Sequence, residues 1–93
     1  MNHRAIKSEL FNNFARIGKA LSSSNRLEIL DLLSQSERSV ETVAEAAELK
    51  VANASAHLRV LHDAGLVELL DELLPNRQRL LFLKPPEIGR AHV

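Results

Sequence analysis

Two short apolar stripes built largely from small residues, joined by a tight turn, constrain this chain more than any other feature. Val40, Val43, Ala44 and Ala47 recur at spacings of three and four, and Ala54, Leu58 and Leu61 do the same after the turn Glu48-Leu49-Lys50. That period marks one face of a helix in each case. Ser39 stands where the first of these helices needs a hydrogen-bonding N-cap, and Gly65 where the second needs a residue that turns left-handed. Ala44, Ala46, Ala47 and Ala54 let two helices cross closely at a steep angle, which bulky side chains would prevent. The alternative is an all-α domain whose alanines serve helix propensity alone.

The flanking segments favour the first reading. Leu10, Phe11, Phe14, Ile17 and Leu21 predict a helix over about 7–21. Ser22-Ser23-Ser24 breaks it and supplies a cap for a second helix with Leu27, Leu30 and Leu33 on its inner face. Residues 35–38 read as a loop, and the fourth helix is expected over 52–64. After Gly65 the pattern changes: Leu66-Val67-Glu68-Leu69 and Leu80-Leu81-Phe82-Leu83 look like paired strands, with Pro75-Asn76 between them as turn chemistry. Residues 70–74 do not alternate, so the sequence leaves the hairpin register open, and Pro85-Pro86 ends regular structure. The expected fold is mainly α with a β-hairpin: a winged helix-turn-helix of about four helices and a two-stranded wing, one domain over residues 1–86.

Charge by itself does not name a partner, since 12 Lys and Arg balance 12 Asp and Glu. Its distribution is less even. Residues 1–26 carry Arg4, Lys7, Arg16, Lys19 and Arg26 against Glu9, whereas Glu28, Asp31, Glu37, Glu41, Glu45 and Glu48 follow against Arg38. One basic side fits a polyanion, although solvated helix faces often look alike. The chain has no cysteine, so thiolate metal sites and cysteine nucleophiles are excluded. His3, His57, His62 and His92 show no ligand spacing; on a helix, His57 and His62 point about 140° apart. No glycine-rich loop, serine elbow or carboxylate pair suggests an enzyme, and neither a metal nor a cofactor is expected. No apolar run approaches the roughly 18 residues of a membrane span, and a soluble cytoplasmic protein is expected.

Four runs carry a resemblance: Asn25-Arg26-Leu27-Glu28-Ile29-Leu30, Ser39-Val40, Ser55-Ala56-His57-Leu58-Arg59-Val60-Leu61 and Ala64-Gly65-Leu66-Val67. Together they resemble the ArsR-type repressors over about residues 10–69. The resemblance implies a transcriptional regulator, a repressor that binds a double-stranded DNA operator as a homodimer. Met1-Asn2-His3-Arg4-Ala5-Ile6-Lys7 and Val51-Ala52-Asn53-Ala54-Ser55 look closer still to the subgroup fused to a C-terminal rhodanese domain. The chain departs from the family where Ser24 replaces a frequent Pro, Glu48 a Gly and Lys50 a Ser. In the wing, Leu69, Leu70 and Asp71 stand where Arg or Lys is usual, and no tyrosine is present.

On the fourth helix, Ala54, Leu58 and Leu61 are the expected anchors, and Ala52, Asn53, Ala56 and Arg59 lie opposite. This short face suits a major groove about 12 Å wide, with Arg59 matched to guanine and Asn53 to adenine. The family resemblance casts Ser55 and His57 as phosphate ligands; a half-buried His57 and a merely solvated Arg59 are the plainer alternatives. Lys50, Arg77 and Arg79 are expected backbone contacts. An interaction module for protein partners is the competing function for the whole domain. The family resemblance also implies dimers formed by the first helix with a helix after the wing. Here Leu10, Phe11, Phe14 and Ile17 are the expected dimer residues, and a weak, concentration-dependent dimer is the expected state.

The tail Ile88-Gly89-Arg90-Ala91-His92-Val93 follows no structural logic of the domain. It matches the translation of ATC-GGA-AGA-GCA-CAC-GTC, which resembles a widely used sequencing-library adapter whose next triplet is a stop. Residues 87–93 are therefore expected to be non-native, with the natural chain continuing past about Pro86.

Overall fold

The computed structural model describes residues 3–73 and 79–84, with the backbone alone at 70–73 and 79. The elements run α1 (His3–Ala20), α2 (Ser24–Gln35), β1 (Arg38–Ser39), α3 (Val40–Ala46), α4 (Val51–Asp63), β2 (Val67–Leu73) and β3 (Arg79–Leu83). Four helices and a small antiparallel sheet make a winged helix-turn-helix. The turn at Pro75-Asn76, the Pro85-Pro86 stop and the tail 87–93 lie outside the described residues.

Ser23 is the serine that caps α2, its Oγ accepting from the Arg26 N–H at 3.3 Å. At the other end Arg38 Nε donates to the Leu32 carbonyl at 3.2 Å, satisfying one of the orphaned last-turn acceptors. The buried face of α2 is Ile29 and Leu33, with Leu30 packed beside them. Leu27, expected on the inner face, is instead 50% exposed. Helix geometry gives the reason: Leu27 lies about 200° around the axis from Ile29, so both cannot face one core.

Ser39 closes β1 and caps α3. Its Oγ accepts from the Thr42 N–H at 3.2 Å while Thr42 Oγ1 donates to the Ser39 carbonyl at 2.9 Å, so this buried polar residue is satisfied. The turn between α3 and α4 is a double-bonded left-handed cap. Glu48 N donates to Glu45 O at 3.2 Å, and Leu49 N to Ala44 O at 2.8 Å. Leu49 then packs against the core, the apolar contact that usually accompanies this cap. The same pattern ends α4, where Gly65 N donates to His62 O at 2.9 Å and Leu66 N to Leu61 O at 3.0 Å. Gly65 sits at φ 80 and Glu48 at φ 57. The two caps differ only in their residue, and a side chain in the left-handed region costs about 1–2 kcal/mol. Set against the larger unfolded-state entropy of glycine, Glu48→Gly is expected to stabilise the domain by about 0.5–1 kcal/mol, read by urea denaturation. A loss of stability would show that the Glu48 side chain contributes more than the turn costs.

The core joins α2, α3, α4 and the sheet through Ile29, Leu33, Val43, Leu58, Leu61, Val67 and Leu81. The sheet order is β1-β3-β2, with Arg38 opposite Leu81 and Ser39 opposite Leu80. β1 therefore adds a third strand to the expected two-stranded hairpin, formed by the last residue of the expected loop, Arg38, and the expected cap, Ser39. Two residues carry no periodicity, so nothing in the sequence announces it. The hairpin pairs Val67 with Leu83, Glu68 with Phe82, Leu69 with Leu81, and Leu73 with Arg79, and the register shifts between Leu69 and Leu73. That irregularity falls where the sequence does not alternate. Lys84 and Glu68 meet across the base of the wing at 3.6 Å.

α1 stands apart. Of its 18 residues only Ala20 is buried, while Ile6, Leu10, Phe11 and Phe14 are 47–58% exposed. Within the stripe of Leu10, Phe11, Phe14, Ile17 and Leu21, Ile17 alone is half-buried.

Candidate nucleic-acid interface

α4 is positioned by its buried side. Ala54, Leu58 and Leu61 are at most 4% exposed, as their spacing predicts, which turns Ala52, Asn53, Ser55, Ala56 and Arg59 to solvent. Four of these five side chains are small or short, so the backbone of α4 can approach a groove closely. Ser55, Arg59 and Asp63 share one row at successive turns, and shallow grooves flank that row. One, of about 500 Å³, runs toward the wing over Leu58, Leu69 and Leu81; the other, of about 390 Å³, lies over Ala52, Ala56 and Val60. Among the described residues Arg59 makes no ion pair or hydrogen bond, so its five donors are available.

The entrance of α4 is equally open. Lys50 holds the N-cap position without a side-chain cap bond and is exposed, as is Val51. The first-turn N–H groups thus keep their partial positive charge unpaired, next to the Lys50 ammonium. The far end differs: Asp63 is 68% exposed and lies 3.8 Å from His62. An anion is favoured at the N-terminal half of α4 and disfavoured at its end. Asp63 carries no role in the sequence-based reading, although its place one turn after Arg59 was visible there.

His57 is half-buried and turned toward α2, where its Nδ1 lies 3.1 Å from Arg26 Nη1. It lies one turn after Asn53 and about 160° around the helix from Arg59. Arg26 is a site neighbour that sequence spacing did not find, because 31 residues separate the two. Arg79 opens β3, with its backbone alone described, and Arg77 lies outside the described residues.

Known proteins share this arrangement. Residues 23–68 match the family described as "Bacterial regulatory protein, arsR family". Over 62 residues the chain is 50% identical to the HTH-type transcriptional regulator Rv0324 of Mycobacterium tuberculosis, a match covering 67% of this chain and 27% of that protein. The solution NMR structure of the homodimeric winged helix-turn-helix DNA-binding domain (fragment 1–100) of Mb0332 from Mycobacterium bovis, "a possible ArsR-family transcriptional regulator", superposes with a TM-score of 0.78. That likeness holds at 40% identity over 89% of this chain and 72% of the other. The chain belongs to the ArsR family. A crystal structure of a "possible transcriptional regulatory protein (fragment 1-100)", also from M. bovis, agrees at TM-score 0.75 and 42% identity, over 83% of this chain and 80% of that one. This ArsR-family chain spans about a quarter (27%) of the length of the Rv0324 regulator.

Membership places this chain's departures from the family pattern in context. The turn keeps its left-handed geometry with Glu48 in place of glycine. The missing serine at position 50 leaves α4 without a side-chain cap. Among the described residues no group of three or more His, Asp or Glu is arranged to hold a metal ion, and no helix is long and apolar enough to cross a membrane.

Proposed function

We propose that this domain is the operator-reading unit of a homodimeric repressor, with α4 in the major groove. The observation that carries it is the open row of α4: small residues at Ala52 and Ala56, base-reading side chains at Asn53 and Arg59, and an uncapped N-terminus beside Lys50. Arg59 reads a guanine and Asn53 an adenine. Lys50, Ser55 and His57 hold phosphates, as do Arg77 and Arg79 at the wing. Two copies are required because one short helix reads too few base pairs, and dimers of this architecture meet half-sites about one helical turn apart. The repressor role rests on the family resemblance, and a cytoplasmic site of action on the sequence pattern. The likeness of the first seven residues to the rhodanese-fused subgroup, together with the greater length of the Rv0324 regulator, supports a second domain in the natural chain.

Lys50 provides a direct test. As a phosphate contact it releases counterions on binding, so Lys50→Ala is expected to weaken all duplexes alike. In a two-fold dimer the salt slope should fall by about 0.9 per lost phosphate. An unchanged slope would remove Lys50 from the interface and with it the proposed orientation of the α4 entrance.

A further inference from the structure

Arg26 joins three elements at one point. Its Nε donates to the Ala20 carbonyl at 2.8 Å and its Nη2 to the Lys19 carbonyl at 3.0 Å, closing the end of α1. Its own backbone N–H is held by the Ser23 cap of α2 at 3.3 Å. The remaining arm, Nη1, lies 3.1 Å from His57 Nδ1 on α4. A guanidinium has only donors and keeps its charge in proteins. His57 Nδ1 must then be the acceptor, which places the single ring proton on Nε2, at the ring edge away from Arg26.

We propose that Arg26 is a positioning residue for DNA recognition: it fixes His57 as the neutral Nε2–H tautomer and aims that N–H at the phosphate backbone. The proposal rests on α4 being the DNA-contacting helix. Two properties of the contact support it. Arg26 is half-buried and commits three of its five N–H donors to the two carbonyls and the imidazole, so its side chain is held in place within the fold. The two carbonyl bonds also fix the guanidinium relative to the end of α1, so the orientation of His57 depends on the same corner that sets the exposed apolar helix. The corner clamp and the DNA contact become one unit, and Arg26 contributes without touching DNA.

The test has two readouts on the full chain. Side-chain ¹⁵N spectra of His57 without DNA should show an unprotonated Nδ1 and a protonated Nε2 in the parent, and exchange-averaged signals in Arg26→Ala and Arg26→Lys. On duplex selected from a random library, both Arg26 variants should bind roughly ten-fold more weakly, the size of one lost hydrogen bond to a charged group. Their salt slopes should be unchanged. Arg26→Lys keeps the charge, so parental affinity in that variant would show that charge alone matters and overturn the proposal. A second pair leaves Arg26 untouched. His57→Gln, whose amide N–H reaches the Nε2 position, should retain most affinity, whereas His57→Asn should lose it. Equal losses for Gln and Asn would also overturn it. If the parent selects no sequence, the DNA-contacting role of α4 fails, whatever the spectra show. If His57 signals ignore the Arg26 variants, the positioning step fails while DNA reading stands.

Discussion

Phe14→Glu is expected to leave the protein monomeric at all working concentrations and to abolish operator binding where the parent saturates it. The affinity loss should be on the order of 10²–10⁴, the gain that linked half-sites supply. An isolated helix of this length is marginal in water, yet α1 buries only Ala20 of its 18 residues within the chain. Phe14 is 58% exposed and Phe11 55%, beside Leu10 at 47%. Burying one phenylalanine contributes about 1.5–3 kcal/mol, and two-fold symmetry counts it twice. A carboxylate at the same place would be desolvated without a partner. The solved Mb0332 fragment is itself described as homodimeric. Because Phe14 does not join the core, thermal unfolding of the α2–α4 core should be little changed by the substitution. Sedimentation velocity over a wide concentration range decides it. The parent should show a concentration-dependent monomer–dimer equilibrium, and a variant that still dimerises like the parent would place the interface elsewhere.

Arg59→Ala is expected to cost about 1–3 kcal/mol of operator binding and to relax base preference at one position in each half-site. Arg59 stands exposed between the two grooves along α4, with no bond within the described residues to lose. The loss should therefore be one of contact to DNA and not of fold. Competition with duplexes mutated at single positions separates the outcomes. A uniform loss across sequences would reassign Arg59 to a phosphate.

Much of this architecture was legible because its signals are local. Ser23 and Ser39 cap their helices by bonds within three residues, and Gly65 ends α4 in the left-handed region its chemistry allows. The spacing of Ala54, Leu58 and Leu61 fixed which side of α4 is buried, and hence which side is open to solvent. Leu27 shows where spacing failed: three leucines at i, i+3 and i+6 suggested a stripe, but Ile29 and Leu33 are the better pair on a 3.6-residue helix. β1 exists only because β3 lies alongside it, and two residues carry no pattern of their own. The Arg26–His57 contact is likewise tertiary, joining α2 to α4 across 31 residues. For α1 the apolar stripe was visible, but not that nearly all of it would lie off the core, since an amphipathic stripe looks the same whether its partner is the same chain or another.

Selection from a random duplex library with the full chain decides whether this domain reads a two-fold operator through α4. The expected result is an enriched inverted repeat with half-sites about one helical turn apart, bound at least about 10³-fold more tightly than unselected duplex at physiological salt. Arg59→Ala should lose one specified position per half-site of that repeat. Enrichment of no sequence, or only of a general affinity that vanishes with salt, would contradict the account.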